Sequence, residues 1–389
     1  MMLAGTMALL SLAVWMYLLS ARGGFWRAAE RDGEGQASLP DDLWPQIVAV
    51  VPARNEADVV AEAIGSLLRQ HYPGDFRVIL VDDQSSDGTP GIVRAAARAA
   101  GAADRLTVLS GRPLPTGWTG KLWALKQGID HVEASANPPE YLLLTDADIA
   151  CSADALTRLV MRARAGGLAL VSLMAKLRCE SPAERALIPA FIFFFQMLFP
   201  FRWVNQPARH TAAAAGGCML VRRQSLRAAG GIESIRGELI DDCALGRRLK
   251  AQGPIWLNLT ERARSLRSYR TAGEIRRMVA RSAYAQLRYS PILLIGTLLG
   301  MALAYWVPPL LALFGTGRVR APAAAAWLLM AFAFQPTLRF YRVSPLWGVA
   351  MPAIAAVYAA FTLDSAYQHW RGRGGLWKGR AQAPGTELR

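Results

Sequence analysis

The sequence predicts an α/β domain built on a mostly parallel sheet and held between apolar helices long enough to cross a bilayer. Two observations predict the sheet. Short apolar runs recur, and three of them end in polar or acidic residues: IVAVVPARNE from Ile47, FRVILVDDQSSDGT from Phe76 and YLLLTDADI from Tyr141, with LALVSLMAKL from Leu168 as a fourth. Helix-compatible stretches such as ADVVAEAIGSLLRQ and GIVRAAARAA lie between them. Continuous apolar strands alternating with helices are the pattern of a parallel sheet covered on both faces. A third observation predicts the membrane helices: uncharged segments, Met2 to Ser20 and Pro291 to Phe314, stand on either side of this region. Each is close to the roughly 20 residues that a spanning helix needs.

Taken in order, Met2 to Ser20 has no charge and is followed by Arg22, Arg27 and Arg31. A cleaved signal peptide carries its positive charge ahead of the apolar core. Here the charge comes after it, so residues 1–21 read as an uncleaved anchor whose C-terminal side faces the cytoplasm. Residues 22–45 are polar and Gly-containing, as a linker would be. The α/β domain is expected over residues 46–290. Inside it, Ala186 to Trp203 is apolar and aromatic, but it contains Pro189 and Pro200 and is short for a span. It reads as a helix near 186–203 in the membrane interface, with a buried domain helix as an equal alternative. Residues 291–365 form a C-terminal transmembrane region, in which Pro291 to Phe314 and Pro345 to Leu363 are full-length spans and Ala323 to Leu338 is shorter. If all three crossed, the basic tail of residues 366–389 would sit on the far side, against the positive-inside rule. One re-entrant or interfacial segment returns it to the cytoplasm. The expected location is the inner, cytoplasmic membrane, multi-pass, with the catalytic domain facing the cytoplasm.

The chain carries 44 Lys and Arg against 29 Asp and Glu, a net charge of +15. Such a balance suits nucleic acid, an anionic membrane or a phosphorylated substrate. Much of it flanks apolar spans, and no helix is dense in Arg with interleaved aromatics, so nucleic acid is not an expected partner. Cys151, Cys179, Cys218 and Cys243 form no CxxC pair, and His71, His131, His210 and His369 show no metal-ligand spacing.

Asp146 and Asp148 are one residue apart at the end of an apolar run. Two carboxylates that close resist desolvation and need a compensating cation. Mg²⁺ or Mn²⁺ fits, because a hard cation takes carboxylate oxygens and keeps sites for phosphate and water. Asp82 and Asp83 end a second run, and Asn55 and Glu56 end a third. Ligands of such sheets bind beyond the carboxyl ends of the strands. One carboxylate of VDDQSSDGT could accept hydrogen bonds from a base or ribose, while Asp87 fits a helix cap. Asp241 and Asp242 open an amphipathic helix, where the helix dipole and general-base chemistry explain them equally. Lys121 in GWTGKLWAL and Arg288 in AQLRYS are candidate phosphate contacts. Gly216 and Gly217 allow close backbone approach to a ligand, or a tight turn.

Together these residues resemble a membrane-attached family 2 glycosyltransferase of the GT-A fold, a Rossmann-like catalytic domain. PARNE, VDDQSSDGT, the Lys121 loop, TDADI, GGCMLVRR and IDDCALGRRLK stand in that family's order. RGGFWRA, LVSLMAKLRCES, FFFQMLFPFRWVN and QLRYSP are similar to the hopanoid-biosynthesis-associated glycosyltransferases. The resemblance implies a nucleotide-sugar donor held by Pro52, Ala53, Arg54, Asn55, Glu56, Asp82, Asp83, Lys121, Asp146 and Arg288. It implies a metal at Asp148 and Asp146, and Asp242 as base of an inverting displacement, with Asp241 beside it. Gly216, Gly217, Gln286 and Tyr289 fall on the acceptor side. Gln286-Leu-Arg288-Tyr289 is one residue shorter than the Q-x-x-R-W motif of processive relatives and has Tyr in place of Trp, which fits transfer of a single sugar. The membrane segments imply a lipid acceptor, a hopanoid or a polyprenyl phosphate. Two other classes compete. A membrane nucleotidyl- or phosphotransferase needs a phosphate-cradling glycine loop, and there is no P-loop. A non-enzymatic membrane scaffold requires the acidic strand ends to serve only as helix caps.

Overall fold

The computed structural model describes residues 2–33, 44–372, 376–377 and 380–381. The β-branched and apolar runs form strands because both of their faces are covered. All seven residues of β1 (Ile47–Ala53) are buried, and so are all five of β4 (Tyr141–Thr145). The first half of the chain continues from the apolar helix α1 (Met2–Ser20) through β1, α2 (Val60–Leu68), β2 (Phe76–Asp82), α3 (Thr89–Ala99), β3 (Leu106–Ser110), α4 (Gly120–Glu133) and β4. It proceeds through β5 (Ile149–Cys151), α5 (Ala155–Ala165), β6 (Leu170–Lys176), α6 (Pro182–Leu198), α7 (Phe201–Val204) and β7 (Cys218–Arg222). Then come α8 (Arg223–Ala228), α9 (Asp241–Lys250), β8 (Ile255–Ser265), α10 (Ala272–Ala280) and α11 (Ala283–Gln286). Four further helices follow: α12 (Pro291–Met301), α13 (Val307–Phe314), α14 (Arg320–Tyr341) and α15 (Met351–Trp370).

The eight strands make one sheet in the order β3-β2-β1-β4-β7-β6-β8-β5. Four of its seven pairings are parallel: β1 with β2, β2 with β3, β1 with β4, and β6 with β8. The mostly parallel sheet is therefore present, with one departure that matters for the site. β7 runs antiparallel between β4 and β6. β1, β2 and β4 bring their carboxyl ends to one rim, and β7 starts at that rim. Gly217 consequently lies beside Asp146: the Thr145 hydroxyl donates to the Gly217 carbonyl at 2.7 Å, and the Asp146 amide reaches it at 3.4 Å.

The residues expected as a linker are docked as far as Gly33. Phe25 is buried against Phe193, with ring centroids 5.2 Å apart. The Leu259 amide donates to Glu30 at 2.9 Å, and the Asp32 amide donates to Leu259 at 3.2 Å. The remainder of that segment, residues 34–43, and most of the basic tail lie outside the described residues. α6 begins with a Ser181/Glu184 capping box and buries Leu187, Ile188, Ala190, Ile192 and Phe193. It packs on α10, α14 and α15. Its inner face is thus part of the core, and it joins the sheet domain to the apolar helices.

Among the described residues three helices are long and apolar enough to cross a membrane: Met2–Ser20, Pro291–Phe314 and Gly317–Tyr341. The two later C-terminal segments exchange the lengths read from the sequence. Ala323 to Leu338 belongs to a 25-residue helix. Pro345 to Leu363 is broken, because Pro345–Gly348 forms a separate 3-10 turn capped by Ser344 and the helix starts only at Met351. α15 is also tied to the domain: Asp364 pairs with Arg276 at 3.0 Å, and the Tyr358 hydroxyl donates to the Leu187 carbonyl at 2.8 Å.

The anchor is held by a hydrogen bond that a proline makes available. Residues 302–306 form a π turn ahead of Pro308, and Pro308 has no N–H to offer the Ala304 carbonyl. The Trp15 indole of α1 donates to that carbonyl at 2.8 Å in a buried position. Trp15→Phe leaves it unsatisfied and is expected to cost about 1–3 kcal/mol. Unfolding of the purified protein in detergent checks this, and a variant as stable as the parent would show that the bond contributes nothing.

Candidate active site

The rim is organised by backbone geometry first. Asn55 adopts φ 51° after β1, a left-handed conformation that Asn tolerates better than most residues. Its amide donates to the Ser85 hydroxyl at 2.9 Å, and its side-chain oxygen accepts from the Ser86 amide at 2.9 Å. The PARNE and DDQSSDGT loops are thereby tied to each other. Asp87 acts as the expected cap, accepting from the Thr89 and Ala57 amides at 3.0 and 2.9 Å. Burial would raise its pKa, but the Thr89 hydroxyl and these amides hold it below the usual carboxylate value. Asp83 is buried and pairs with Arg54 at 3.7 Å. Asp82 accepts from the Ser85 amide at 3.3 Å.

Lys121 stands in the first turn of α4, behind a Thr119 cap. Its ammonium lies 2.9 Å from Asp146 and 3.2 Å from Asp241. Burial alone would lower the Lys121 pKa, but Asp146 and Asp241 reverse this and raise it. Asp146 is raised as well, because burial outweighs its share of Lys121. One ammonium serves several carboxylates, so the lysine stays charged while a carboxylate resists ionisation. Asp242 accepts from the Gly216 amide at 2.9 Å and from its neighbour's amide, Cys243, at 2.7 Å. Burial, and then Asp241, push its pKa up to about 6, against Lys121 and the two amides. That value suits a base working near neutral pH. A Cβ on Gly216 would crowd this approach, standing 3.2 Å from the Lys121 nitrogen and 3.4 Å from the Asp242 Cβ.

The second cation comes from a stretch that carries no recognisable motif and that the sequence patterns do not mark as a site. β8 runs to Ser265, and the next amide, Leu266, donates to the Asp148 carbonyl at 2.8 Å. This brings Arg267 across the rim. Its guanidinium donates to Asp148 at 2.9 Å and to both oxygens of Glu56 at 2.9 Å. The only signal in the sequence is a cationic residue just after a long strand, IWLNLTERARS.

A cavity of about 620 Å³ opens on this rim. Pro52, Glu56, Lys121, Asp146, Asp148, Gly216, Gly217, Asp241 and Asp242 line it. So Asp148 and Asp242 share one cavity. Ala53, Arg54, Asn55, Asp82 and Asp83 form the rim's supporting layer and are not among the lining residues. Gln286, Arg288 and Tyr289 do not line it either. Tyr289 stacks on His369 with ring centroids 4.3 Å apart. Arg288 and Tyr289 both take left-handed φ, at 52° and 55°, just before α12. Lining residues that the sequence patterns do not single out include Arg267, Tyr269, Arg277 and Arg281.

Residues 48–230 match the glycosyl transferase family 2 model. This segment, a little under half of the chain, is similar to family 2 glycosyltransferase domains. Over 213 residues the chain is 29% identical to a beta-monoglucosyldiacylglycerol synthase of Trichormus variabilis and 28% identical to one of Nostoc sp.. Each match covers 53% of this chain and 41% of the relative, so the chain spans less than half the length of the curated relatives it matches. The mannosyltransferase PcManGT from Pyrobaculum calidifontis, solved with GDP-Man and Mn2+, superposes with a TM-score of 0.51 at 19% identity, covering 95% of this chain and 100% of its own. That likeness is one of fold, and the sheet domain is GT-A-like.

Lys121→Met leaves the half-buried Asp146 and Asp241 without their cation. It is expected to destabilise the protein by roughly 3–5 kcal/mol at pH 7.5. The loss should shrink as the pH falls and the carboxylates take up protons, since their protonation removes the repulsion. Denaturant titrations at pH 7.5 and 5 measure both effects. A destabilisation independent of pH would show that Lys121 acts by packing alone.

Proposed function

We propose that the chain transfers a single sugar, with inversion, from a nucleotide-sugar donor to a membrane lipid at the cytoplasmic face of the inner membrane. One observation carries the reading. Carboxylates with two different tasks, Asp146/Asp148 and Asp241/Asp242, face one cavity, and α6, which also lines it, packs against the apolar helices. The family 2 match and the lipid glycosyltransferases among the relatives support donor and acceptor class respectively. The similarity of several stretches to hopanoid-associated enzymes makes a hopanoid one acceptor to test, and a polyprenyl phosphate another.

In this reading Asp242, positioned by the amides of Gly216 and Cys243, takes the proton of an acceptor hydroxyl. The hydroxyl oxygen bonds to the anomeric carbon as the bond from that carbon to the diphosphate breaks. The electron pair leaves with the nucleoside diphosphate, and in-line attack inverts the centre. Lys121 holds the Asp146 and Asp241 sides of the cavity together. Pro52 and the loops after β1 and β2, with Asp83 among them, form the donor side.

The fit to a metal is partial. Among the described residues no three His, Cys, Asp or Glu side chains come together as a metal-binding group. Asp146 and Asp148 are engaged by Lys121 and Arg267. Two carboxylates on one cavity suit a divalent cation that shares its ligands with the donor diphosphate, not a cation held by protein alone. Bound there, Mg²⁺ or Mn²⁺ supplies positive charge to the departing diphosphate.

Membranes carrying the protein, offered a panel of radiolabelled nucleotide sugars and lipid extracts, test the proposal. Label is expected in a lipid only with divalent metal present, and for a hydroxyl acceptor Asp242→Asn is expected to lower it by about 10²-fold or more. Equal labelling of a hydroxyl acceptor by the variant removes Asp242 from its role. Equal labelling in EDTA removes the metal. For a hydroxyl acceptor, kcat should fall as the pH drops below about 6, where Asp242 is protonated. A profile flat from pH 5 to 8 would rule out this base.

A further inference from the structure

The cavity has a second wall with different chemistry. Leu177 beyond β6, Phe191 and Phe195 of α6, and Met278 of α10 make it apolar. α6 leads from there to α14, the helix of the third candidate span. Arg277 and Arg281 also line the cavity, one turn apart at the end of α10. Their neighbour Arg276, outside the cavity, pairs with Asp364 of α15 at 3.0 Å. Among the described residues neither Arg277 nor Arg281 makes an ion pair. The cavity's other cations are already engaged, Lys121 by Asp146 and Asp241 and Arg267 by Asp148 and Glu56. Glu274, also on the cavity, is engaged in the capping box of α10 with Thr271.

Two arginines without carboxylate partners, set beside an apolar wall, complement a phosphate carried on a hydrocarbon tail. Guanidinium forks match phosphate oxygens in geometry as well as charge. A neutral head group offers them nothing to bind. We propose that the acceptor is a lipid whose head group carries a phosphate, held by Arg277 and Arg281, with its chain along Leu177, Phe191, Phe195 and Met278. This rests on the reading of the cavity as a lipid-glycosylating site. The phosphate has two possible sources. In a polyprenyl phosphate it is the nucleophile: its oxygen bonds to the anomeric carbon, the bond to the nucleoside diphosphate breaks, and Asp242 receives no proton. In a glycerophospholipid such as phosphatidylglycerol, a head-group hydroxyl oxygen bonds to the anomeric carbon and gives its proton to Asp242, while the bond from that carbon to the nucleoside diphosphate breaks and the electron pair leaves with the diphosphate.

The test uses the full chain in neutral phosphatidylcholine vesicles with its donor and two matched acceptor pairs: polyprenyl phosphate against polyprenol, and phosphatidylglycerol against diacylglycerol. The phosphate-bearing member of at least one pair should be labelled about tenfold faster or more. The double variant Arg277→Gln/Arg281→Gln should raise the acceptor KM by about tenfold or more, with the donor KM essentially unchanged. Equal rates within both pairs, or an unchanged acceptor KM in the variant, overturn the proposal. So does a variant that loses only its binding to anionic vesicles, since the arginines would then serve the membrane surface. Asp242→Asn separates the sources: transfer to polyprenyl phosphate survives it, and transfer to phosphatidylglycerol does not. If no lipid is labelled although the donor protects the protein against thermal unfolding, the phosphate-lipid acceptor falls and the glycosyltransferase reading stands. If the donor does not bind, the glycosyltransferase reading itself falls.

Discussion

Carboxylates crowded at one rim of a sheet repel each other and lose hydration, and the site can exist only because cations are brought to them. Lys121 spans Asp146 and Asp241, and Arg267 spans Asp148 and Glu56. Each cation joins carboxylates from different parts of the chain, so the two ion-pair sets hold the rim together as well as compensating charge. The arrangement is not fully neutral, because Lys121 is shared too widely. Asp146 and Asp242 keep raised pKa values, through burial first and then the neighbouring carboxylates, which Lys121 offsets only in part. A carboxylate with a raised pKa is a stronger base once ionised.

Several features of the fold serve this rim. The reversed strand β7 begins where β4 ends, which sets Gly216 and Gly217 against Asp146 and lets the Gly216 amide hold Asp242. α9 packs closely enough that a Cβ on Gly246 would meet the Ala213 carbonyl carbon at 2.9 Å, so Asp241 and Asp242 at its start are fixed to the same backbone segment. β8 runs on past the sheet to deliver Arg267. α6 is apolar on the faces that meet the core and the long apolar helices, so it joins the cavity to them.

Much of the fold is legible in the chain because its signals are local. A run of β-branched residues followed by polar ones marks a buried strand and its exposed end. That signal alone marks the rims at Asn55, Asp82 and Asp146, and the cavity contains Asp148 and Asp242 together as expected. What is not legible depends on distance. Arg267 follows a strand whose polar residues hide its period, and its partners lie 119 residues and more away in sequence. Pro345 to Leu363 has the apolar count of a span, but Ser344 and Pro345 stop it from being one helix. Arg288 and Tyr289 resemble a motif in order alone, and their left-handed backbone turns Tyr289 onto His369.

Sequence alone determined four of the eight strands, the apolar helices Met2 to Ser20 and Pro291 to Phe314, and which carboxylates stand at strand ends, because burial and periodicity are properties of neighbouring residues. Tertiary structure decided which cations meet those carboxylates, that β7 runs backwards, and that two unpaired arginines stand beside an apolar wall. Those are relations between residues far apart in the chain, and only packing brings them within the few ångströms over which charge and hydrogen bonding act.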